Sequence, residues 1–374
     1  GSDGVFQEME DAIQAAVAAH KQLVQLPLDV REKIIQVIRD IGWVNREEYG
    51  RLELEETDLG SVSGSILKME VACGVPGMEE IKPEVFTGDH GVTINERIPV
   101  GMIASINAVT NAAPGIVHNA IMMLAGGNTV VNNPHPKTKI ISARVVKDLN
   151  QEIVAAGGPP NCITTVSEPD IPGAQYLMTH PKTDMIAVTG GHRVVEFAKK
   201  IGKRILSGGP GNPPVVVDES ADLDHAAQCI IRGSSLSNCT PCSSEKEIFV
   251  TNSVADTLKE LLCKYGAYEL TADQGDALVK EIFKEIHPGR TPSVINMDYI
   301  GKPPNVILKR AIGLDIPPET KIAILETDKE HPLVWTEQIM PILPFVRCKD
   351  NKEAMDEGVA AEQGLRHTIV FHSN

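Results

Sequence analysis

The sequence is poor in aromatic side chains and contains no long apolar run. Aromatic residues make up 4% of its 374 residues, and its seven cysteines follow no regular spacing. No apolar stretch approaches the roughly 18 residues of a membrane-spanning helix. The N-terminus lacks the basic region followed by an apolar one that marks a secretory signal. These absences exclude a disulfide-stapled scaffold and predict a cytoplasmic protein without a membrane segment.

The sequence also has fewer basic than acidic residues. Lysine and arginine together number 35 against 50 acidic residues, which gives a formal net charge of -15. A chain this acidic would be repelled by a phosphate backbone or an anionic membrane surface, so we predict no nucleic-acid partner and no membrane partner. The apolar fraction of 42% is sufficient to fill the cores of two or three domains.

Two amphipathic helices are predicted at the start of the chain. Apolar residues recur at helical spacing from Phe6 to Val24, which predicts the first helix. Pro27 ends this pattern, and Asp29 with Glu32 three residues later has the spacing of a capping box that opens the second helix.

From about residue 100, strand-like and helix-like runs alternate. Strands are predicted at 100–106, 128–132, 163–166, 185–188 and 215–217, with helices at 116–124, 138–155, 171–178 and 192–201 between them. Strands separated by such helices form parallel sheets through right-handed crossovers. The prediction is an α/β protein with a Rossmann-type cofactor domain at 1–217 and a second α/β domain at 218–374. The run Thr368–Phe371 resembles a strand, so the chain is expected to stop inside that second domain.

Ligands bind parallel sheets at the carboxyl ends of the strands. Thr189, Gly190 and Gly191 stand at one such end, where the following helix would direct N–H groups at a phosphate. Asn132–Pro136 stands at another end, and Ser207–Pro214 is predicted to be a loop because it combines three glycines with three prolines. None of these is the Gly-x-Gly-x-x-Gly dinucleotide fingerprint.

The stretch from Ser237 to Glu247 carries the candidate nucleophile, Cys242. Small and hydroxylated residues surround this cysteine, and Pro241 fixes the backbone before it. A thiol on a tight polar turn can be reached by a substrate, whereas bulky apolar neighbours would raise its pKa and leave it inert. The sequence therefore predicts an accessible, reactive thiol at position 242.

Cys239 and Cys242 also form a Cys-x-x-Cys pair, which leaves two other chemistries open. A thioredoxin-like pair would follow a strand and open a helix, but here the helix-like segment precedes the pair. A structural zinc site would need a second pair of ligands at close spacing, which the sequence does not offer. No metal is predicted.

Taken together and in this order, these features resemble the aldehyde dehydrogenase superfamily, most closely its CoA-acylating branch. That branch contains the propionaldehyde and acetaldehyde dehydrogenases of propanediol and ethanolamine utilisation. The resemblance runs from about Glu84 to Ser373. It is carried by the stretches 132–136, 188–191, 211–214, 240–247 and 364–368.

The resemblance implies a role for each of several residues. Cys242 would be the nucleophile, and Asn111 with the backbone N–H of Cys242 would bind the oxyanion. The residues that would contact NAD are Thr189, Gly190, Gly191, Pro134, His135, Gly208 and Gly209, together with Glu337, which would bind the hydroxyls of the nicotinamide ribose.

One missing carboxylate selects the acylating branch. Hydrolytic members carry a glutamate that activates water, and Gly208 stands at that position. Glycine cannot accept a proton, so a thioester on Cys242 would survive for attack by coenzyme A. The resemblance thus implies an enzyme that converts a short-chain aldehyde to acyl-CoA with NAD, with no carboxylate available near the sulfur to release the acyl group to water.

The family also implies a homo-oligomer, a dimer or tetramer, and a location in the cytoplasm or inside a bacterial microcompartment. Two alternatives remain open at this stage. The chain could be a catalytically silent protein that keeps the fold as a binding or structural module, or a hydrolytic aldehyde dehydrogenase that makes a carboxylate.

Overall fold

The computed structural model describes residues 3–374, which form two compact units. The N-terminal unit contains the residues up to Asp58 and then Ser65–Gly209, and the C-terminal unit contains Leu59–Gly64 and Pro210–Asn374. The predicted boundary at 217/218 therefore differs from the observed division. The reason is that the strand 214–217 pairs within the sheet of the C-terminal unit. The C-terminal unit therefore includes this strand and the residues from Pro210 that precede it.

The N-terminal unit is built on a parallel sheet with helices on both faces. In chain order its elements are β1 Val5–Phe6, α1 Met9–Leu23, α2 Leu28–Val44, α3 Arg46–Thr57, α4 Val62–Cys73 (whose first turn belongs to the C-terminal unit), β2 Glu84–Gly88, β3 Gly91–Asn95, β4 Met102–Ile106, α5 Ala112–Ala125, β5 Thr129–Asn133, α6 Lys139–Ala155, β6 Ile163–Val166, α7 Ile171–Thr179, β7 Met185–Thr189, α8 His192–Lys199 and β8 Arg204–Gly208.

The strand order β1-β6-β5-β4-β7-β8 places the topological switch point of this sheet between β4 and β7. Successive residues of β5 face opposite cores. Val130 packs with α2, α5 and α6, whereas Val131 packs with α1 and α7. The sheet is therefore buried on both faces, as expected of parallel strands. Since ligands bind where the strand order reverses, the residues that follow β4 and β7 are placed at the binding edge.

The C-terminal unit contains a second 6-stranded parallel sheet, in the order β11-β14-β15-β10-β9-β16. Its elements are β9 Pro214–Val217, α9 Leu223–Ser235, β10 Glu247–Thr251, α10 Asn252–Lys264, β11 Ala267–Leu270, α11 Ala272–Ile282, β12 Phe283–Glu285, β13 Val294–Ile295, α12 Pro304–Ile312, β14 Ile322–Thr327, β15 Ile342–Cys348, α13 Asn351–Ala361 and β16 Val370–His372. One core lies between this sheet and α9 and α10, and another lies beneath α13.

Three local predictions differ from the structure. Helix α2 begins at Leu28, with Pro27 at the N-cap and no side-chain cap, so Asp29 lies inside the first turn and forms no capping box. The predicted loop at 207–214 begins later, because Ser207 and Gly208 end strand β8. That strand was not predicted, since it is a largely exposed edge strand with little apolar periodicity. Within residues 3–374, no helix combines the length and apolar character needed to cross a bilayer.

Candidate active site

The turn that carries the cysteine pair has an unusual backbone. Ser237, Asn238 and Cys239 have φ angles of 49°, 55° and 62°, in the left-handed region. For side chains other than glycine, this conformation costs about 1 kcal/mol or more per residue. We call residues 236–244, which carry the candidate nucleophile Cys242, the nucleophile turn. Its conformation has to be imposed by contacts with the surrounding chain.

The segment 59–64 supplies much of that restraint. The side-chain amide of Asn238 donates to the carbonyl oxygens of Gly60 at 2.8 Å and Gly301 at 2.9 Å. The backbone N–H of Ser61 donates to the hydroxyl oxygen of Ser237 at 3.3 Å. These bonds engage the side chains of two of the three left-handed residues and hold the turn in place.

Cys242 is partly buried in this turn and is not part of a disulfide. Burial raises the pKa of the Cys242 thiol, and the Glu337 carboxylate raises it further. Lys246 and the backbone N–H groups of Cys242 and Ser243 act in the opposite direction. The prediction that small polar neighbours would spare this thiol a raised pKa is therefore wrong. The physical reason is that nearby residues on both sides of Cys242, including Thr240 and Ser244, are buried.

Gly211 is the point where the groups around Cys242 meet. A Cβ atom on Gly211 would lie 2.6 Å from the carbonyl oxygen of Cys242 and 3.0 Å from Cγ of His367. The N–H of Gly211 donates to Oε1 of Glu337 at 3.4 Å. Only a residue without a side chain fits here, and its backbone brings Cys242, a carboxylate and an imidazole close together.

His367 belongs to the family-like stretch 364–368, but no role followed from the sequence. Burial lowers the pKa of this imidazole, so it is neutral near pH 7 and can accept a proton. Its backbone N–H donates to Glu362 Oε1 at 2.8 Å, and its Nδ1 lies 2.9 Å from the hydroxyl oxygen of Thr368. The only signal for His367 in the sequence is its place in this family-like stretch.

Glu337 is a carboxylate close enough to Cys242 to raise the pKa of the thiol, although the sequence predicted that none would be available. Burial raises the pKa of Glu337 itself, and Lys246 lowers it. One of its oxygens is already the acceptor of the Gly211 N–H. The raised pKa makes the ionised carboxylate a stronger base than usual, whereas the hydrogen bond from Gly211 occupies one of its oxygens.

The other half of the Cys-x-x-Cys pair is not available for exchange chemistry. Cys239 is 0% exposed, and burial raises the pKa of its thiol. Both cysteines are free thiols. In the part of the chain that the structure describes, no group of three or more His, Cys, Asp or Glu side chains is arranged to hold a metal ion.

Asn212 and Glu247 anchor the chain on either side of the nucleophile turn. The Asn212 amide donates to Glu247 Oε1 at 3.1 Å and to the carbonyl oxygens of Val334 and Ala361. Glu247 is fully buried, and burial raises its pKa well above the usual value. The Gly-Asn-Pro-Pro stretch thus contributes a buried network that joins β9, β10 and α13.

The predicted cofactor residues of the N-terminal unit lie at the carboxyl ends of its strands. Thr189 ends β7, and Gly191 is the N-cap of α8. The N–H of Gly190 is already used, because it donates to the carbonyl oxygen of Gly208 at 3.1 Å. A Cβ atom on Gly191 or Gly209 would meet nothing within 4 Å. The open backbone at the start of α8 fits the approach of a pyrophosphate.

Pro134 and His135 follow β5 at the same edge of that sheet. Pro134 is buried and His135 is partly buried. Nδ1 of His135 accepts the N–H of Lys137 at 3.1 Å, and burial lowers the pKa of the imidazole. The His135 ring is therefore neutral near pH 7, with a fixed orientation.

Asn111 lies between β4 and α5, near the switch point of the sheet. It occupies the N-cap position of α5, yet its side chain makes no capping hydrogen bond. The residues on either side are tied down. Lys68 Nζ donates to the carbonyl oxygen of Thr110 at 2.7 Å, and the N–H of Ala112 donates to Glu53 Oε1 at 3.3 Å. The backbone on either side of Asn111 is thus held in place.

Replacing Lys68 by methionine is expected to destabilise the N-terminal unit by about 3 kcal/mol at pH 7, because it leaves a buried carboxylate without its cation. Glu53 is 3% exposed, and Lys68 Nζ lies 3.6 Å from its Oε1. Burial already raises the pKa of Glu53 in the folded chain. In the folded variant Glu53 takes up a proton at a higher pH than it does in the unfolded chain. The loss of unfolding free energy caused by the substitution therefore becomes smaller as the pH falls. Urea unfolding at pH 7 and pH 5 measures both effects.

The matched control is Lys33→Met, which breaks an exposed i,i+4 pair with Asp29 on α2. Such pairs contribute about 0.5 kcal/mol or less. Equal losses from the two substitutions would show that the buried pair carries no special weight.

The chain belongs to the aldehyde dehydrogenase family. The model of that family matches residues 3–278. This confirms the predicted family and, together with similar solved structures, the predicted fold class.

Among curated relatives, the chain is 41% identical over 372 residues to the acetylating acetaldehyde dehydrogenase EutE of Salmonella typhimurium, covering 99% of this chain and 79% of the relative. A Rhodopseudomonas palustris propionaldehyde dehydrogenase, solved with bound CoA and an acylated cysteine, is 36% identical with a TM-score of 0.93, covering 100% of this chain and 84% of that one. A propionaldehyde dehydrogenase from a Clostridium phytofermentans fucose-utilisation microcompartment is 38% identical with a TM-score of 0.94, covering 99% and 84%.

Proposed function

We propose that the protein is a CoA-acylating aldehyde dehydrogenase that converts a short-chain aldehyde to acyl-CoA with NAD. The observation that carries this proposal is the partly buried Cys242, held on a strained turn beside Glu337 and His367. Relatives that acylate CoA, at 41% and 34% identity over nearly the whole chain, confirm the branch predicted from the sequence.

The reaction begins at the sulfur of Cys242. The thiolate adds to the aldehyde carbon, and the carbonyl oxygen becomes an oxyanion. The backbone N–H of Cys242 and the amide of Asn111 are the proposed donors to this oxyanion, each contributing roughly 3 kcal/mol if well placed. Bound NAD supplies the hydride acceptor that converts the adduct to a thioester.

The second half of the reaction transfers the acyl group to CoA. The CoA thiolate attacks the thioester carbon, and the Cys242 thiolate leaves as acyl-CoA forms. Each turnover releases one proton from a thiol. The neutral imidazole of His367 is the proposed acceptor, because its ring packs against Gly211 beside Cys242.

The residues of the N-terminal unit support NAD binding as a proposal. Thr189 and Gly191 would contact the pyrophosphate with the first turn of α8, and Gly208 and Gly209 would let it approach the backbone. Pro134 and His135 would line the adenosine side. In the C-terminal unit, Glu337 is proposed to bind the ribose hydroxyls, which would also occupy its free oxygen.

The experiment is to follow NADH formation with propanal and NAD, with and without CoA. With CoA we expect steady turnover and acyl-CoA as the product. Without CoA we expect one burst of NADH, no more than one per Cys242, because glycine at position 208 provides no base to activate water. Steady NADH formation without CoA, with carboxylate accumulating, would assign the enzyme to the hydrolytic branch and make Glu337 the candidate base. No NADH under either condition would favour the silent alternative.

A homo-oligomer and a location inside a bacterial microcompartment remain proposals. The second is supported by the Clostridium phytofermentans enzyme, which comes from such a compartment.

A further inference from the structure

The ammonium group of Lys246 is buried beneath the nucleophile turn. The side chain is 0% exposed. Its Nζ donates to the carbonyl oxygens of Cys239 at 2.8 Å and Pro241 at 3.2 Å, and it lies 3.2 Å from Cys239 Sγ. An ammonium group has three donors, and all three are directed at this one turn. Burying a charge is costly unless it is paired or hydrogen-bonded, yet none of the proposed chemical steps uses the charge of Lys246 directly.

The hydrogen bond to Pro241 sets the direction of an N–H group. The carbonyl of Pro241 and the N–H of Cys242 belong to the same planar trans peptide group, so they point in opposite directions. The Pro241 oxygen is held by Lys246 and also by the N–H of Ser244 at 3.1 Å. The N–H of Cys242 is therefore held pointing away from Lys246, and it stabilises the thiolate of its own residue.

Lys246 also lies at the centre of the titratable groups around the nucleophile. It favours the thiolate of Cys242, whereas Glu337 disfavours it. The groups that respond to the charge of Lys246 are Cys239, Cys242, Glu245, Glu247, Glu337 and His367. Three of these are carboxyls, and the charge of Lys246 lowers the pKa of each against the effect of burial.

We propose that Lys246 is a positioning residue for the reaction: its ammonium holds the carbonyls of Cys239 and Pro241, aims the N–H of Cys242 at the developing oxyanion, and stabilises the thiolate. This proposal rests on the proposed function and deepens it. Lys246 touches neither substrate nor cofactor, and it acts through the backbone of the turn and through its charge.

The test compares Lys246→Met with wild type in two assays. The first is the rate of Cys242 alkylation by iodoacetamide as a function of pH, followed by mass spectrometry of the Cys242 peptide. Removing the cation is expected to raise the midpoint by about one pH unit, whereas Glu337→Gln is expected to lower it. The second is the rate of the first NADH burst with propanal and NAD, which we expect to fall about tenfold or more as the oxyanion donor loses its orientation. Lys352→Met, at a side chain 82% exposed on α13, should change neither.

A folded Lys246→Met protein with the wild-type midpoint and burst rate would overturn the proposal, since a merely structural lysine would change only stability. If circular dichroism shows that this variant does not fold, Lys246→Arg takes its place. Arginine keeps the charge but cannot place three donors from one nitrogen. We expect a midpoint near that of wild type and a slowed burst, so a wild-type burst rate would overturn the positioning role and a shifted midpoint would overturn the charge role.

The two proposals can fail separately. Alkylation requires neither aldehyde nor CoA, so it tests Lys246 even in an enzyme that makes no acyl-CoA. If wild type forms no acyl-CoA while the Lys246→Met midpoint rises, the proposed function fails and the effect of Lys246 on the thiolate stands.

Discussion

Replacing Cys242 by alanine is expected to abolish NADH formation from propanal, NAD and CoA, with a loss of about 10⁴-fold or more. Alanine has no sulfur to add to the aldehyde, so neither the hydride transfer nor the thioester can occur. Folding should be little affected, because Cys242 is only partly buried and belongs to none of the hydrophobic clusters. NADH absorbance at saturating CoA measures the loss.

Cys263→Ala is the matched control, since Cys263 is an exposed free thiol on α10 in the same unit. It should keep wild-type turnover. A complementary measurement is the intact mass after incubation with propanal and NAD without CoA, where only proteins that retain Cys242 should gain an acyl group. Normal turnover by Cys242→Ala would refute the assignment of the nucleophile.

The substitution Gly211→Ala is expected to lower kcat/KM by about 100-fold while the protein remains folded. The new Cβ atom would meet the carbonyl oxygen of Cys242 at 2.6 Å, a distance at which one of the two must move. A backbone oxygen cannot rotate away like the end of a flexible side chain, so the nucleophile turn has to shift. Misplacing a reacting group by about 1 Å can cost about 10²-fold in rate.

The control for this change is Gly88→Ala in strand β2, where an added Cβ would meet nothing within 4 Å. Both variants gain the same methyl group, so only the surroundings differ. Steady-state kinetics with propanal and CoA, together with the midpoint of thermal unfolding, separate an effect on the site from an effect on stability. Wild-type kcat/KM in Gly211→Ala would show that the carbonyl of Cys242 is not held where the structure has it.

Much of the fold could be predicted from the sequence because its signals are local. Parallel strands such as β5 and β6 are short, rich in β-branched residues and flanked by helices with clear periodicity, and both were predicted to within a residue or two. Strand β8 was missed because it lies at a sheet edge and is largely exposed. The predicted start of α2 was wrong because a proline took the N-cap position that the pattern assigned to Asp29.

The candidate site, like the fold, could be predicted only in part from the sequence. Cys242 could be proposed from its immediate neighbours, and Glu337 and Thr189 from family-like motifs. The roles proposed for Gly211 and Lys246 could not be predicted, because they depend on contacts with backbone atoms that only the folded chain brings together. The predicted direction of the Cys242 pKa shift was wrong for the same reason, since burial is set by tertiary packing rather than by adjacent residues.

The amide of Asn238 binds the carbonyl oxygen of Gly60, a residue 178 positions earlier in the chain. On a ribosome that adds about 5–20 residues per second, the segment 59–64 must wait roughly ten seconds or longer for this partner to emerge. The second acceptor of the Asn238 amide is Gly301, which is made later still, so the restraint on the left-handed turn is complete only late in synthesis. A fragment beginning at Pro210 would contain Cys242 but would lack the segment 59–64 that restrains its turn.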